Sequence, residues 1–469
     1  MTELGADPYS PQLRTALVLT GTGTDGAYHA GALRALHEAG VKIDIVAGRG
    51  IGVVGALFAA VDGAQRLWDE KGFWRSPSAA KLYDWRTAPR IVAWAFAIAL
   101  AIVLVPIVAV ALGLVVFPID FLLKMVGGGG MPNLIAGYIA FADAAFAPTA
   151  LPTWLPRLAL LVIGAAAVVA LVDGLQARAT RARGQFWWHL VRAPLSSTRA
   201  VEHTWQTLWD LVRGAAQLKE PSASELAQRY TEMAAENIGQ PGFRELLIVA
   251  HDVDAHRDVL FALVAESRRR DLIRRASSAA ADARRAEVID LAGVGRQHLS
   301  DAVAAALTLP LASDWHRTTF APDSYWRGET HRLCDRPGAL IRLIDELIDL
   351  GVQQIIVAAA APQAPGPHAL TNARLDARGR LAEFLQSTEA AVVRDATTTT
   401  GGVRIFTIQP SHNPIGPMDF SGGYDDRSHR PQPLTELINR GYEDAYHQFI
   451  EPVVGASGEK ITTNTKYEV

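Results

Sequence analysis

The sequence predicts a three-layer α/β domain with a mainly parallel central sheet, interrupted by a transmembrane helical hairpin. Three observations carry that prediction. Residues 14–40 read as buried strand, glycine-rich loop and helix. GALIRLIDELIDLG followed by VQQIIVAAAA repeats a helix–strand unit late in the chain, as an α/β sheet requires. Between these lie two long runs without a charged residue, after Arg90 and after Arg157.

The composition agrees. Of 469 residues, 49% are hydrophobic and only 20% charged, with a mean hydropathy of +0.11, so part of the chain is expected in lipid. A net charge of −3 gives no overall attraction to nucleic acid, and none is expected as a partner. The single cysteine, Cys334, excludes an internal disulfide framework and a cysteine-based metal cluster. No cofactor is expected. The acidic, polar start MTELGADPYS predicts no cleavable signal peptide and a cytoplasmic face for the bulk of the chain.

Residues 91–119 contain no charge and exceed the ~20 apolar residues that cross ~30 Å of hydrocarbon. Residues 158–172 form a shorter run that Arg157 extends by snorkelling. The segment between them, broken by Gly127 to Gly130 and several prolines, suits a turn or a dip into the interface. Basic residues gather before the first run (Arg75, Lys81, Arg86, Arg90) and after the second (Arg178, Arg181, Arg183), which places both outer ends in the cytoplasm. Trp187, Trp188 and His189 follow closely enough to sit at the lipid interface. Two spans keep the flanking pieces of the α/β domain in one compartment.

The strand RTALVLT leads into Gly21-Thr22-Gly23-Thr24-Asp25-Gly26 and the helix AYHAGALRALHEAG, a layout that aims backbone N–H groups at an anion. Dinucleotide-binding domains share it, with an acidic residue about 20 residues on, and Asp44 is the candidate for that role. The second strand, VKIDIVAG, runs instead into Gly48-Arg49-Gly50-Ile51-Gly52 and a small-residue helix, the shape of the nucleophile elbow G-x-S-x-G with glycine at its centre.

These residues, GTGTDGAYHAGALRALHEAGVKIDIVAG and the following x-G-I-G, resemble the opening of patatin-like phospholipase domains. FRELLIVAHDVDAHRDVLF resembles that family's central strand and turn, and LSDAVAAALTLPLA its helix before the second catalytic motif. RIFTIQPSHNPIGPMDFSGGYDD and LINRGYEDAYHQFI resemble the C-terminal part of bacterial members. The likeness covers residues 13–75 and 240–455. It implies a Ser–Asp dyad, in which serine attacks an ester carbonyl, aspartate assists as base and glycine-loop amides hold the oxyanion. Carried onto this chain, Gly21, Gly23 and Gly26 form the oxyanion loop, and Gly48 and Gly52 flank the elbow. The serine position is Gly50, and no serine occurs between Pro11 and Trp74. Aligning residues 335–337 with the family's N-x-P puts Glu329 in the aspartate position, with Asp335 as a second acidic candidate. Asp25 stands where the loop usually carries Arg or Lys.

Other residues are weaker candidates. His29 reads as packing, His251, Asp252, Asp254 and His256 as solvated turn side chains, and Cys334 as a small structural residue. Of the two aspartates in GGYDD, Asp425 is a remote candidate for the acid. Arg268, Arg269, Arg270, Arg274, Arg275, Arg284 and Arg285 either meet anionic lipid headgroups or pair with Glu266, Asp271 and Asp282. The expected organisation is an N-terminal tail 1–12, the α/β domain over 13–88 and 184–455, the hairpin over 89–183, and a C-terminal tail 456–469.

Three functions follow. The favoured one is a catalytically degenerate patatin-like protein of the bacterial inner membrane that binds membrane lipid or a protein partner through the old cleft. The second is an active lipid acyl hydrolase with unorthodox residues, and the third a dinucleotide-binding membrane protein. Nothing in the sequence sets an oligomeric state.

Overall fold

Strands β1 (Thr15–Gly21) and β2 (Ile45–Gly50) are buried along their whole length, as apolar, β-branched runs are when helices cover both faces of a parallel sheet. Helix α1 (Asp25–Glu38) follows β1, and α2 (Gly52–Ala59) follows β2. Later in the chain come α6 (Thr198–Arg213), α7 (Ala223–Asn237), β3 (Glu245–Asp252), β4 (Arg257–Leu263), α8 (Glu266–Ile273) and β5 (Val288–Asp290). They are followed by α9 (Leu299–Ala306), β6 (His316–Thr319), β7 (Thr330–Cys334), α10 (Ala339–Asp349) and β8 (Gln354–Ala359). The last are α11 (Ala377–Thr399), β9 (Arg404–Ile408), β10 (Gly423–Asp425), β11 (Arg430–Gln432) and α12 (Glu436–Ala445).

The computed structural model describes residues 9–127, 130–149, 154–176, 193–214, 216, 219–273, 287–365, 377–399, 402–425 and 427–455. Among them the main sheet runs β9-β8-β1-β2-β3-β4-β5, with the β6–β7 hairpin joined to β3. The β9-β8-β1-β2-β3 block is parallel throughout, β4 lies antiparallel to β3, and β7 meets β3 antiparallel at His251 and Asp252. The α/β class and mainly parallel sheet expected from the sequence are present. One core gathers Val18, Ala47, Leu247, Leu343 and Ile355 beneath α10.

The chain divides into two compact units, Met1–Asp84 with Ser196–Val469, and Trp85–Leu195. The second contains α3 (Thr87–Met125), α4 (Pro132–Phe146) and α5 (Leu155–Gln176). Two helices, Thr87–Met125 and the stretch Leu155–Val172, are long and apolar enough to cross a membrane, and both are largely uncovered by protein. The segment expected as a turn or dip contains the ordered helix α4, because only one of its fifteen residues, Asp143, is charged and Pro132 opens it at the first helical turn. Arg178, Arg181, Arg183, Trp187, Trp188, His189, Arg274, Arg275, Asp282, Arg284, Arg285 and Asp426 lie outside the described residues.

Helices α1 and α12 cross at backbone contact. A Cβ at Gly31 would stand 1.9 Å from the Ile438 carbonyl oxygen, and one at Gly441 would stand 2.1 Å from that of Tyr28. The crossing is fixed beside these glycines by the Tyr28 hydroxyl, which donates to Asp444 at 2.9 Å. Gly441→Val is therefore expected to destabilise this unit by about 2 kcal/mol, an overpacking cost read as a lowered thermal midpoint in detergent.

Candidate functional site

The two glycine-rich segments meet at the ends of β1 and β2. The sequence assigns the stretch around Gly50 to a turn, but the parallel ladder continues through the last pair, Gly21 opposite Gly50. Gly50 has φ +56°, the left-handed region that an elbow centre needs. A Cβ there would lie 2.2 Å from the Gly21 carbonyl oxygen and 3.0 Å from Asp335 Oδ2. The Ile51 N–H donates to that same Gly21 carbonyl at 3.0 Å. The space for a nucleophile and the amide following it are thus both occupied by the backbone of β1.

The loop amides are similarly engaged. Thr22 N–H donates to Asp25 Oδ2 at 2.8 Å, so a carboxylate from α1 sits on the loop. Thr24 N–H donates to the Pro417 carbonyl at 2.9 Å and its hydroxyl to the Gly416 carbonyl at 2.9 Å. Gly23, at φ +61°, leaves room for that Pro417 oxygen, which a Cβ would meet at 1.9 Å. Gly21 leaves room for Asp25, and Gly26 for Trp74, while Gly48 and Gly52 allow α2 to abut β2 and β1.

Arg49 is fully buried between the two elbow glycines. Its Nη1 donates to both oxygens of Asp335 at 3.0 and 2.9 Å, its Nη2 to Glu389 at 2.5 Å, and its Nε to the Thr20 hydroxyl at 2.9 Å. That hydroxyl in turn donates to Glu389 at 2.7 Å. Burial opposes the guanidinium charge, but Asp335 and Glu389 hold its pKa above the ordinary value. Asp335 is pushed up to about 6 because burial and the Glu389 charge outweigh its pairing with Arg49. Burial, with Glu389 adding to it, also raises the Asp25 carboxyl well above the usual range. His29, whose Nε2 meets the Thr20 carbonyl at 2.9 Å, is lowered to about 4 chiefly by burial.

Of the two acidic candidates, Asp335 is the one at the elbow. Glu329, aligned with the aspartate position from sequence, precedes β7 with its side chain 65% exposed and touches His331 at 3.2 Å. His331 in turn meets Asp252 at 2.6 Å. Asp44, the dinucleotide candidate, lies before β2 and caps the Thr15 amide, at the end of the strand away from the glycine loop. His251 pairs with Asp258, Asp254 with Arg332, and Asp425 with His412. Among the described residues no group of three or more His, Cys, Asp or Glu is placed to hold a metal. Burial, with Asp335 adding to it, pushes the Cys334 thiol up to about 12, which leaves no thiolate near neutral pH. Arg269 pairs with Glu266 and Asp290, and Arg268 approaches Glu245. Sequence reasoning passed over Arg49, Glu389 and the segment at Gly416 and Pro417. Only Arg49 carried a signal, as a charge inside an otherwise apolar buried strand.

Two predictions follow from this network. Arg49→Met leaves Asp335 and Glu389 buried without their cation and is expected to cost about 3–5 kcal/mol, read by thermal unfolding. Asp335, with its folded pKa raised, contributes stability that is complete below pH ~3.8 and is lost as pH rises through about 6. His29, lowered to about 4, contributes stability complete above pH ~6.5 and lost as pH falls through 4. The two slopes oppose one another between about pH 4 and 6. Stability should therefore rise more steeply with pH in Asp335→Asn than in the parent chain, and fall with pH in His29→Gln.

Residues 17–158 match the family model for patatin-like phospholipase. The patatin-like phospholipase domain-containing protein 6 of Mus musculus is 47% identical over 60 residues, which are 13% of this chain and 4% of that protein. Its Homo sapiens counterpart matches with the same identity and coverage, so the chain spans only a small fraction of the length of these curated relatives. VipD of Legionella pneumophila superposes with a TM-score of 0.29 at 12% identity, covering 97% of this chain and 69% of that one. Over residues 17–158 the chain is thus similar to the patatin-like phospholipase family, with glycine loop, helix, strand and elbow in that order.

Proposed function

We propose that this protein is a membrane-anchored, catalytically degenerate patatin-like protein that acts at the cytoplasmic face of the inner membrane by binding lipid or a protein partner. The observation that carries this reading is the Gly21 carbonyl oxygen, 2.2 Å from where a side chain at Gly50 would begin. Without a nucleophile, a serine-hydrolase mechanism loses about six orders of magnitude. With the Ile51, Thr22 and Thr24 amides already bonded, those oxyanion donors are engaged as well. Asp335, the acidic candidate beside Gly50, is bound on both oxygens by Arg49.

The anchoring part rests on α3 and α5, whose apolar surfaces face outward as lipid-facing helices do. Arg75, Lys81, Arg86 and Arg90 before α3 support a cytoplasmic position for the flanking domain. The alternative, an active lipid acyl hydrolase, draws on one feature, the Asp335 carboxylate within 3.0 Å of the elbow.

Ester hydrolysis on short-chain acyl esters and phospholipid vesicles, run beside fluorophosphonate labelling, separates the two. The purified chain is expected to show neither turnover nor labelling. Gly50→Ser is expected to stay inactive, because its Cβ meets backbone and not a movable side chain. Turnover by the native chain that disappears in Asp335→Asn would establish the hydrolase reading.

A further inference from the structure

The two spanning helices are unequal. At 1.5 Å per residue, the charge-free run of α3 measures about 44 Å and that of α5 about 22 Å, against ~30 Å of hydrocarbon. The return path is therefore short, and the helix between them has the right size to lengthen it, since the fifteen residues of α4 add about 22 Å.

α4 packs on the distal half of α3. The Met131 N–H, just before α4, donates to Asp120 Oδ1 at 2.8 Å, and Asp120 pairs with Lys124 at 2.7 Å. One to two turns into α4, the Tyr138 hydroxyl donates to the Ala109 carbonyl at 3.0 Å, and its ring stands edge-on to Phe117 at 5.4 Å. Gly113 permits this approach, since a Cβ there would lie 2.3 Å from the Tyr138 hydroxyl. α4 thus runs back from the level of Asp120 to that of Ala109, inside the charge-free stretch of α3. Leu134 and Phe141 on one flank of this contact and Ile139 and Phe146 on the other are exposed, as are Leu112, Leu114 and Val115 on α3. Water would not tolerate so much exposed apolar surface. A tyrosine hydroxyl bonded to a helix carbonyl is also how a polar group is satisfied in hydrocarbon.

We propose that α4 is a re-entrant helix lying within the bilayer beside the distal half of α3, with lipid acyl chains as the partner of its exposed Leu134, Ile139 and Phe146 side chains. The inference rests on the reading that α3 spans the membrane. α4 and α5 then share the return path.

Nitroxide labels at the exposed positions Leu100, Val110 and Ile139, each as a single cysteine in a Cys334→Ala background, test this in phosphatidylcholine–phosphatidylglycerol proteoliposomes. All three are expected to be accessible to oxygen and shielded from a water-soluble nickel chelate. The depth of Ile139 should fall within about one helical turn, ~5 Å, of that of Val110. Gly113→Leu, which displaces Tyr138, should raise chelate access at Ile139 and leave Leu100 unchanged. A shielded Leu100 with Ile139 open to the chelate, or at headgroup depth, would overturn the re-entrant helix while leaving α3 as a span. Chelate access at all three labels would overturn the spanning reading and this inference with it.

Discussion

The parallel pairing of β1 and β2 through their final residues, Gly21 and Gly50, is the constraint on which the site depends. It carries the ladder one step into the place where an elbow would release its nucleophile. Ile51 N–H completes the arrangement by donating to the Gly21 carbonyl, so no side chain at position 50 fits without parting the strands. The left-handed backbone at Gly50 has the form of an elbow.

Arg49 holds the same place electrostatically. It immediately precedes Gly50 on a fully buried strand, and a lone buried guanidinium would be very unfavourable. Asp335 and Glu389 neutralise it, arriving from the end of β7 and from α11, elements more than 280 residues further along the chain. The family pattern places a basic residue in the glycine loop. Here that loop carries Asp25, whose carboxyl is driven toward its neutral form by burial and Glu389, while the cation sits at the elbow. The network joins β1, β2, the end of β7 and α11 through Thr20, Arg49, Asp335 and Glu389.

The second unit is built differently. Helices α3, α4 and α5 present leucine, isoleucine, valine and phenylalanine outward, and Asp120 is paired locally with Lys124 and with the Met131 amide. Where α4 meets α3, Gly113 admits the Tyr138 hydroxyl, which donates to the Ala109 carbonyl.

Local pattern was enough to determine the strand–loop–helix opening, the helix–strand unit at α10 and β8, the apolar runs and the glycine at position 50, because each is written in contiguous residues as periodicity, a glycine spacing or an absence of charge. Position relative to distant elements was not. The choice of Asp335 over Glu329 depended on a six-residue difference that only the entry of β7 beside β3 fixes. Glu389 looks like any helix carboxylate until α11 brings it to Arg49. The occupation of the loop amides by Asp25 and Pro417 likewise arises from segments almost 400 residues apart in the second case. Sequence determined which groups the site lacks, whereas tertiary structure decided what fills their place, since burial and ion pairing act through space and leave no local spacing to read.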